Sequence, residues 1–379
     1  MSDRPLRLGI ICHPSVGGSG ILASELGEEL AQRGHEIHFI SHAAPFRMPR
    51  DHPRIRFHPV QVNDYDLFKY PDYTLPLSVK IAEVSRAHRL DVLHVHYAVP
   101  HATAAMLAMS MLPVFERPKV IVTLHGTDVM LLGCDAGYGP AIRHALDQAD
   151  GVTTVSQFLQ REIKAHLDFH GPVEVIPNFF APQPPTRTRD AVRAELGLAD
   201  GEAMVLHTSN LRPVKRTDLL LQTIAQIRPR ESFKLVVLAG GKTAPFLAEA
   251  AQAGLGDRIV VRENVTAIED YLHAADLALF TSEMESFCLS ILEAMTFECP
   301  SVAFAVGGIP EVIEHDKHGL LAPFGDTTGL ARHVESLLTA PARRAALGKA
   351  GRERAVAFFS ADRIVSRYVD YYRQVGIRT

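Results

Sequence analysis

The chain has 379 residues, 47% hydrophobic and 22% charged, a length and composition that favour two globular domains over one. Its formal net charge of −4 excludes a general attraction to nucleic acid or to an anionic membrane surface, and the lack of any run of 18 apolar residues excludes a spanning helix. The opening residues lead straight into a strand rather than a signal peptide, and Cys12, Cys134, Cys288 and Cys299 are scattered with no Cys-x-x-Cys pair, so a cytoplasmic chain with reduced thiols is expected.

Residues 6–12 form an apolar run expected as a buried parallel strand. It enters Gly17-Gly18-Ser19-Gly20 and then a helical stretch over 21–32. Glycine lets the backbone approach a ligand closely, and a helix start behind it favours an anion. A dinucleotide fingerprint is a competing reading. It needs G-x-G-x-x-G and an acid about 20 residues on, whereas the second run, 35–40, ends in Ser41-His42. A tight turn without a ligand is the third.

Apolar runs at 56–62, 91–97, 119–124, 151–155 and 173–176 then alternate with helical patterns, as in a doubly wound parallel sheet. Ligands of such sheets sit beyond the carboxyl ends of the strands. The candidates there are Tyr97, His101, the segment 125–128 and Asn178. Asp64 and Asp66 match a D-x-D metal pattern but lie in a polar loop, and read as loop. His94 and His96 share a strand face, and with His101 and His125 they suggest a metal site; no carboxylate or cysteine completes a usual ligand spacing.

Pro177, Pro182, Pro184 and Pro185, mixed with Thr and Arg, read as an interdomain linker, placed at 181–200 between domains over 1–180 and 201–360. A second alternating set follows at 203–209, 234–239, 258–262, 277–280 and 301–306, and helical stretches at 341–359 and 361–375 close the chain. Two similar α/β halves imply a cleft between them. After the run 203–209, Arg212, Lys215 and Arg216 place three cations at a strand end, suited to phosphate; a solvated basic loop is the alternative.

The run 277–280 leads into a stretch with helical periodicity at Phe287, Ile291, Leu292 and Met295. Ser286 is the expected N-cap, which leaves the amides of Phe287, Cys288 and Leu289 directed at an anion. Glu285 lies just outside this helix and Glu293 about two turns inside, roughly 9 Å along. A nucleoside diphosphate sugar has that reach, with ribose at Glu293 and sugar at Glu285. Two surface carboxylates on an ordinary strand–helix unit are the plain alternative. Gly307-Gly308 before Pro310 and Glu311 could receive a sugar or phosphate close to the backbone.

Glu285 and Glu293, the glycine loop, the Lys215 loop, the stretch 307–311 and the last helix together resemble the retaining glycosyltransferases of family 4. Further matches lie at 16–21, 33–40, 94–101, 123–128 and 325–329. Within that family they run to the members that use L-malate in the first step of bacillithiol biosynthesis. The resemblance implies an α/β, GT-B fold: two Rossmann-like doubly wound parallel-sheet domains facing a cleft, with 361–379 crossing back to the first domain. It also implies UDP-N-acetylglucosamine as donor, L-malate as acceptor, no cofactor and no metal. Glu285, His125, Lys215 and Arg212 would be catalytic, with the sugar at Glu285 and His125 and the diphosphate at Lys215 and Arg212. Gly17, Gly18, Asn210, Phe287, Cys288, Leu289 and Glu293 would bind the donor; Ser19, Tyr97, Thr123 and Arg143 would bind the acceptor, with Arg47 or Lys69 as alternatives to Arg143. The chain departs from the family at Cys288, where Gly is usual and where a side chain crowds the phosphate, at Phe297-Glu298, where Cys-Gly is usual, and at Asn210, where Arg is usual. Another acceptor, a sugar or a lipid, and a nucleotide-sugar-binding regulator without turnover are the other readings. A homo-oligomer stays open.

Overall fold

The computed structural model describes residues 4–14, 18–45, 47–49, 51–62, 72–228 and 232–376. Gly17, Asp64, Asp66 and Lys69 lie outside these residues. The chain forms two compact units, one of Met1–Asn178 with Ala361–Thr379 and one of Phe179–Ser360.

In the first unit, seven parallel strands form one sheet: β1 (Arg7–Ile11), β2 (Glu36–Ser41), β3 (Ile55–Pro59), β4 (Val92–His96), β5 (Lys119–Leu124), β6 (Gly151–Thr154) and β7 (Glu174–Val175). Their order is β3-β2-β1-β4-β5-β6-β7, so the winding reverses between β1 and β4. Helices cover both faces of such a sheet, which is why its central strands are buried along nearly their whole length rather than at alternate residues. The covering helices show the reason in their spacing. In Gln157–Leu167 the buried residues are Leu159, Ile163 and Leu167, one stripe at steps of four, and Ser156 caps the start by accepting the Leu159 N–H at 3.1 Å.

The last helix, Ala361–Gln374, belongs to this unit although 182 residues of the other unit precede it. Its stripe of Ile364, Val365, Tyr368, Val369 and Tyr372 is buried. The Tyr372 hydroxyl donates to His94 Nδ1 at 2.8 Å, and His94 Nε2 meets Thr123 Oγ1 at 2.7 Å, all within the core. Burial pushes His94 down to about 3, so its ring is neutral and can accept at Nδ1 while donating at Nε2. At the surface Arg33 pairs with Asp362 at 3.2 Å and Arg367 with Glu174 at 2.9 Å.

The second unit has six parallel strands: β8 (Ala203–Ser209), β9 (Phe233–Ala239), β10 (Ile259–Glu263), β11 (Leu277–Phe280), β12 (Ser301–Phe304) and β13 (Gly319–Ala322). The order β10-β9-β8-β11-β12-β13 reverses between β8 and β11. Its core packs Val205, Leu235, Leu279, Val302 and Phe304 of the sheet with Leu220, Ile224, Leu330 and Val334 of helices. The edge strand β13 is absent from the expected set, because four residues with a leading glycine give no periodicity.

The segment 181–200, expected as a linker, is instead part of the second unit. It contains the helix Arg189–Glu195, and its arginines reach carboxylates far along the chain. Arg187 Nε meets Asp270 at 2.8 Å, while Arg189 and Arg193 meet Asp276 at 2.7 and 3.0 Å. Asp270 is buried and Asp276 half-buried, so these pairs also satisfy carboxylates that burial alone would penalise.

Tyr372→Phe removes the hydroxyl that satisfies a buried imidazole while keeping the ring. The loss should lower first-unit stability by about 1–3 kcal/mol, read as a lower urea midpoint; an unchanged midpoint would mean the bond contributes nothing.

Candidate active site

In a doubly wound sheet the crevice for a ligand opens where the strand order reverses, at the carboxyl ends of the strands. In the second unit those ends belong to β8 and β11, and the residues after them are the Lys215 loop and the Glu285 loop. Lys215 closes a short 3-10 turn, Pro213–Lys215, and its Nζ donates to Glu285 Oε1 at 2.7 Å. The Ser282 hydroxyl donates to the same oxygen at 2.7 Å. Backbone joins the two loops as well: Glu283 N–H reaches Val214 O at 2.9 Å, and the Thr281 hydroxyl reaches the carbonyls of Lys215 and Arg216 at 3.1 Å. Lys215 and Glu285 side chains are 20% and 11% exposed, so the pair is screened little by solvent yet open to a ligand. Burial works against the charged lysine, but the Glu285 carboxylate outweighs it and the ammonium is held above its usual range.

The segment after Glu285 differs from expectation. The helix runs Leu289–Thr296, with Cys288 at its N-cap position in the left-handed region at φ 72°. Ser286 is therefore not the cap, and Glu293 stands about one turn inside the helix, roughly 6 Å along, rather than two. The amides that open the helix are those of Leu289 and Ser290; Phe287 packs its buried ring against Phe359, with centroids 5.5 Å apart. A side chain at φ 72° occupies a region that favours glycine. The departure at Cys288 is thus a matter of backbone shape as well as bulk. Burial, with Glu285 adding to it, raises the Cys288 thiol well above its usual range, so it is a neutral thiol.

Gly307 and Gly308 have a different task from the one expected. A Cβ on Gly307 would lie 1.9 Å from Glu285 O, and one on Gly308 would lie 2.2 Å from Ser286 O. The Gly308 N–H donates to Glu285 O at 2.8 Å. The two glycines let their backbone lie directly on the Glu285 loop and brace it from behind.

The neighbouring cations are not equivalent. Arg216 is held by Asp218 at 2.8 Å and Glu283 at 3.5 Å and lies over the Phe324 ring. Arg212 is exposed and Asn210 half-buried. Glu293 is buried, at 5% exposure, on the helix Leu289–Thr296. Sequence reasoning missed His207, which is buried in β8 and links Leu279 O at 2.8 Å to Ser209 Oγ at 3.1 Å. Ser209 in turn accepts the Leu211 N–H at 3.1 Å, so His207 anchors the start of the Lys215 loop. A lone histidine in an apolar strand gives no signal of this.

In the first unit the reversal lies between β1 and β4. Tyr97 follows β4 and donates its N–H to Thr123 O at 3.1 Å, which carries the β4–β5 ladder one residue past the strand. Its φ of 77° turns the chain sharply there. The Tyr97 ring lies 5.4 Å from His125 and 5.3 Å from His13. His125 Nε2 meets His96 Nδ1 at 3.0 Å, and burial pushes His125 down to about 3. Asp128, fully buried, accepts the N–H groups of His125 and Gly126 at 3.1 and 2.8 Å and fixes the loop that carries His125. Ser19 is half-buried near the start of the helix Gly18–Gln32, and Gly18 is exposed.

Two residues expected to bind the acceptor are engaged within the protein. The Thr123 side chain is fully buried and its hydroxyl is shared with His94 and, at 2.6 Å, with Thr153. It turns into the core because β5 is central and covered on both faces. Arg143 meets Asp168 at 2.5 Å and Asp147 at 3.5 Å, with its side chain 38% exposed. Arg47, the alternative, holds Glu25 at 2.5 Å. The four histidines weighed as a metal site are bound into the fold instead, with His101 Nδ1 on His96 O at 2.7 Å.

All four cysteines are free, and no helix among the described residues is long and apolar enough to cross a membrane.

Comparison with known proteins matches residues 16–183 to the family Glycosyltransferase Family 4 and residues 188–354 to Glycosyl transferases group 1. N-acetyl-alpha-D-glucosaminyl L-malate synthase of Bacillus anthracis is 40% identical over 98% of this chain and 97% of its own. A D-inositol 3-phosphate glycosyltransferase of Xylanimonas cellulosilytica is 29% identical over 96% and 93%. Among solved structures, the sucrose-phosphate synthase of Thermosynechococcus elongatus superposes with a TM-score of 0.79 at 24% identity, covering 98% of this chain and 99% of that one. The chain is a glycosyltransferase of the GT-B fold and belongs to family 4.

Proposed function

We propose that the enzyme moves N-acetylglucosamine from UDP-N-acetylglucosamine to the hydroxyl of L-malate with retention at the anomeric carbon, the first step of bacillithiol biosynthesis. The Bacillus anthracis relative, aligned over 98% of this chain, supports the substrates. The observation that carries the chemistry is the Lys215–Glu285 pair at the β8/β11 reversal, 2.7 Å apart.

An ammonium has three donors. One is spent on Glu285, and the remaining two serve a diphosphate. Both hydrogen bonds on Glu285 fall on Oε1, which leaves Oε2 for a sugar hydroxyl. Glu293 takes the ribose hydroxyls. Arg212, Asn210, Gly17, Gly18 and the amides of the 287–289 stretch complete the donor contacts. His125, neutral and fixed by Asp128 through its loop, faces the sugar as a hydrogen-bonding group rather than a cation.

The reaction breaks the bond between the anomeric carbon and the diphosphate oxygen. The electron pair leaves with UDP, and positive character grows on the sugar. A fixed ammonium and helix-start amides stabilise the growing negative charge without any reorganisation. Malate attacks from the same face, and its hydroxyl proton passes to the departing phosphate oxygen. Proton and charge are thereby balanced without a separate base, and Lys215 takes the part that a divalent metal plays elsewhere.

On the acceptor side Arg143 binds a malate carboxylate, helped by Tyr97 and Ser19. Thr123 contributes through its carbonyl, which sets Tyr97, rather than through its hydroxyl. Arg143 exchanges Asp168 and Asp147 for the substrate; both partners are exposed ion pairs of small worth, so the exchange costs little.

Incubation with UDP-N-acetylglucosamine should release UDP only when L-malate is present, and release should survive excess EDTA. Release that ignores malate would contradict the acceptor. Loss in EDTA that magnesium or manganese restores would contradict the part given to Lys215.

Arg143→Lys keeps the charge but loses the planar fork that binds a carboxylate through two bonds. The malate KM should rise about tenfold, equivalent to about 1.4 kcal/mol, with UDP affinity unchanged. A malate KM equal to the parent's would leave Arg143 as a surface ion-pair residue.

A further inference from the structure

Three histidines with no part in the transfer chemistry meet at the β3 edge of the first sheet. His38 lies on β2, His58 on β3, and His88 is the last residue of the helix Thr74–His88. Their ring nitrogens come within 4.8 Å of one another. His38 is fully buried, and the other two are half-buried. The His38 ring centroid is 4.2 Å from that of His88 and 5.1 Å from that of His58.

For hydrogen bonding, His101 and His207 each use a backbone carbonyl, and His94 uses two hydroxyls. Among the described residues buried His96 meets an imidazole, His125 at 3.0 Å, but only at His38 do three ring nitrogens gather within 4.8 Å. His38 Nδ1 meets another imidazole, His58 Nε2, at 2.9 Å. Two basic nitrogens share one hydrogen, and a third ring stands beside them. This gathering of nitrogen lone pairs on one point, from two strands and a helix end, is what a borderline metal ion uses.

We propose that His38, His58 and His88 form a binding site for a divalent transition-metal ion of the zinc class, separate from the glycosyl-transfer site. Zinc–nitrogen bonds of about 2.0–2.1 Å at tetrahedral angles place ligand nitrogens about 3.3 Å apart. The present separations, from 2.9 Å between His38 and His58 to at most 4.8 Å across the set, bracket that value.

Binding needs a lone pair from each ring. The hydrogen shared by His38 and His58 must leave the cluster, and its ring is then protonated at the outward nitrogen. For His38 that nitrogen is Nε2, and Glu36 Oε1 stands 3.3 Å from it. Nε2 makes no hydrogen bond in the present arrangement, and a carboxylate this close can turn to accept its N–H once the ring is protonated there, which holds Nδ1 towards the metal. The nearby cations are already offset: Arg56 lies 3.5 Å from Glu36, and Lys80 is 2.7 Å from Glu83. Three imidazoles leave a fourth position for water or another ligand on the half-buried side. A metal here ties the end of the helix Thr74–His88 to β2 and β3, so occupancy stabilises the first unit by mass action.

The test is a zinc titration of the full-length, chelator-stripped protein by calorimetry, with cobalt absorption as a second readout of coordination. The parent should bind one equivalent of zinc, and His58→Ala/His88→Ala should bind it at least 100-fold more weakly. His58→Cys, which restores a zinc ligand, should retain the site. Tm should rise with zinc in the parent and in His58→Cys but not in the double variant. Equal zinc affinity in parent and double variant would assign the binding to other histidines and overturn the proposal, as would a parent that binds none.

Discussion

The ion pair between Lys215 and Glu285 is the contact on which the candidate site of the second unit depends. It joins the loops after β8 and β11, the two strands that flank the reversal of the second sheet. A lysine at this depth is costly unless a carboxylate stands beside it, and a carboxylate at this depth needs the lysine. The Glu285 carboxylate therefore holds the Lys215 ammonium in its charged form. The surroundings defend this geometry. Ser282 shares the Glu285 oxygen, Thr281 ties down the Lys215 carbonyl, His207 anchors the loop from below, and the Gly307-Gly308 backbone rests against Glu285 itself. Preorganisation of this kind lets a single cation act where charge develops rather than relax towards it.

The first unit works by a contrasting principle. The strand ends at its reversal carry histidines rather than a charged pair, and burial keeps His94, His101 and His125 neutral. Neutral rings can both donate and accept, which suits recognition of hydroxyl groups. Asp128 is the one buried carboxylate of the His125 loop; burial pushes it up to about 6, against the pull of the N–H groups of Gly126, His125 and Ala98. The last helix closes the network through Tyr372, so a residue near the end of the chain sets the ring that lies behind Thr123.

Much of this was legible in the sequence, and the reasons are physical. Strand after strand was visible because central parallel strands are continuously apolar, as in 119–124 and 277–280. The Lys215 and Glu285 loops were visible because polar residues directly after such strands have few structural uses. What stayed hidden depends on partners distant in the chain. The proline-rich stretch at 181–200 looked like a linker until Asp270 and Asp276 supplied partners for Arg187, Arg189 and Arg193. The helix start was misplaced because periodicity does not reveal a left-handed residue at Cys288. The glycine pair resembled a ligand cradle because a ligand and a loop backbone make the same demand for space. The place of Thr123 stayed hidden because its hydroxyl finds core partners, His94 and Thr153, that lie 29 and 30 residues away in the chain.

The central claim is that the Lys215 ammonium, held by Glu285, stabilises the departing diphosphate. The most direct measurement is the turnover of Lys215→Met, compared with the parent under saturating donor and acceptor, with folding verified by circular dichroism. The claim predicts a fall in kcat of about 100-fold or more, the scale of losing one preorganised charge-stabilising donor. A kcat within about threefold of the parent's, equivalent to less than about 0.7 kcal/mol, would contradict it.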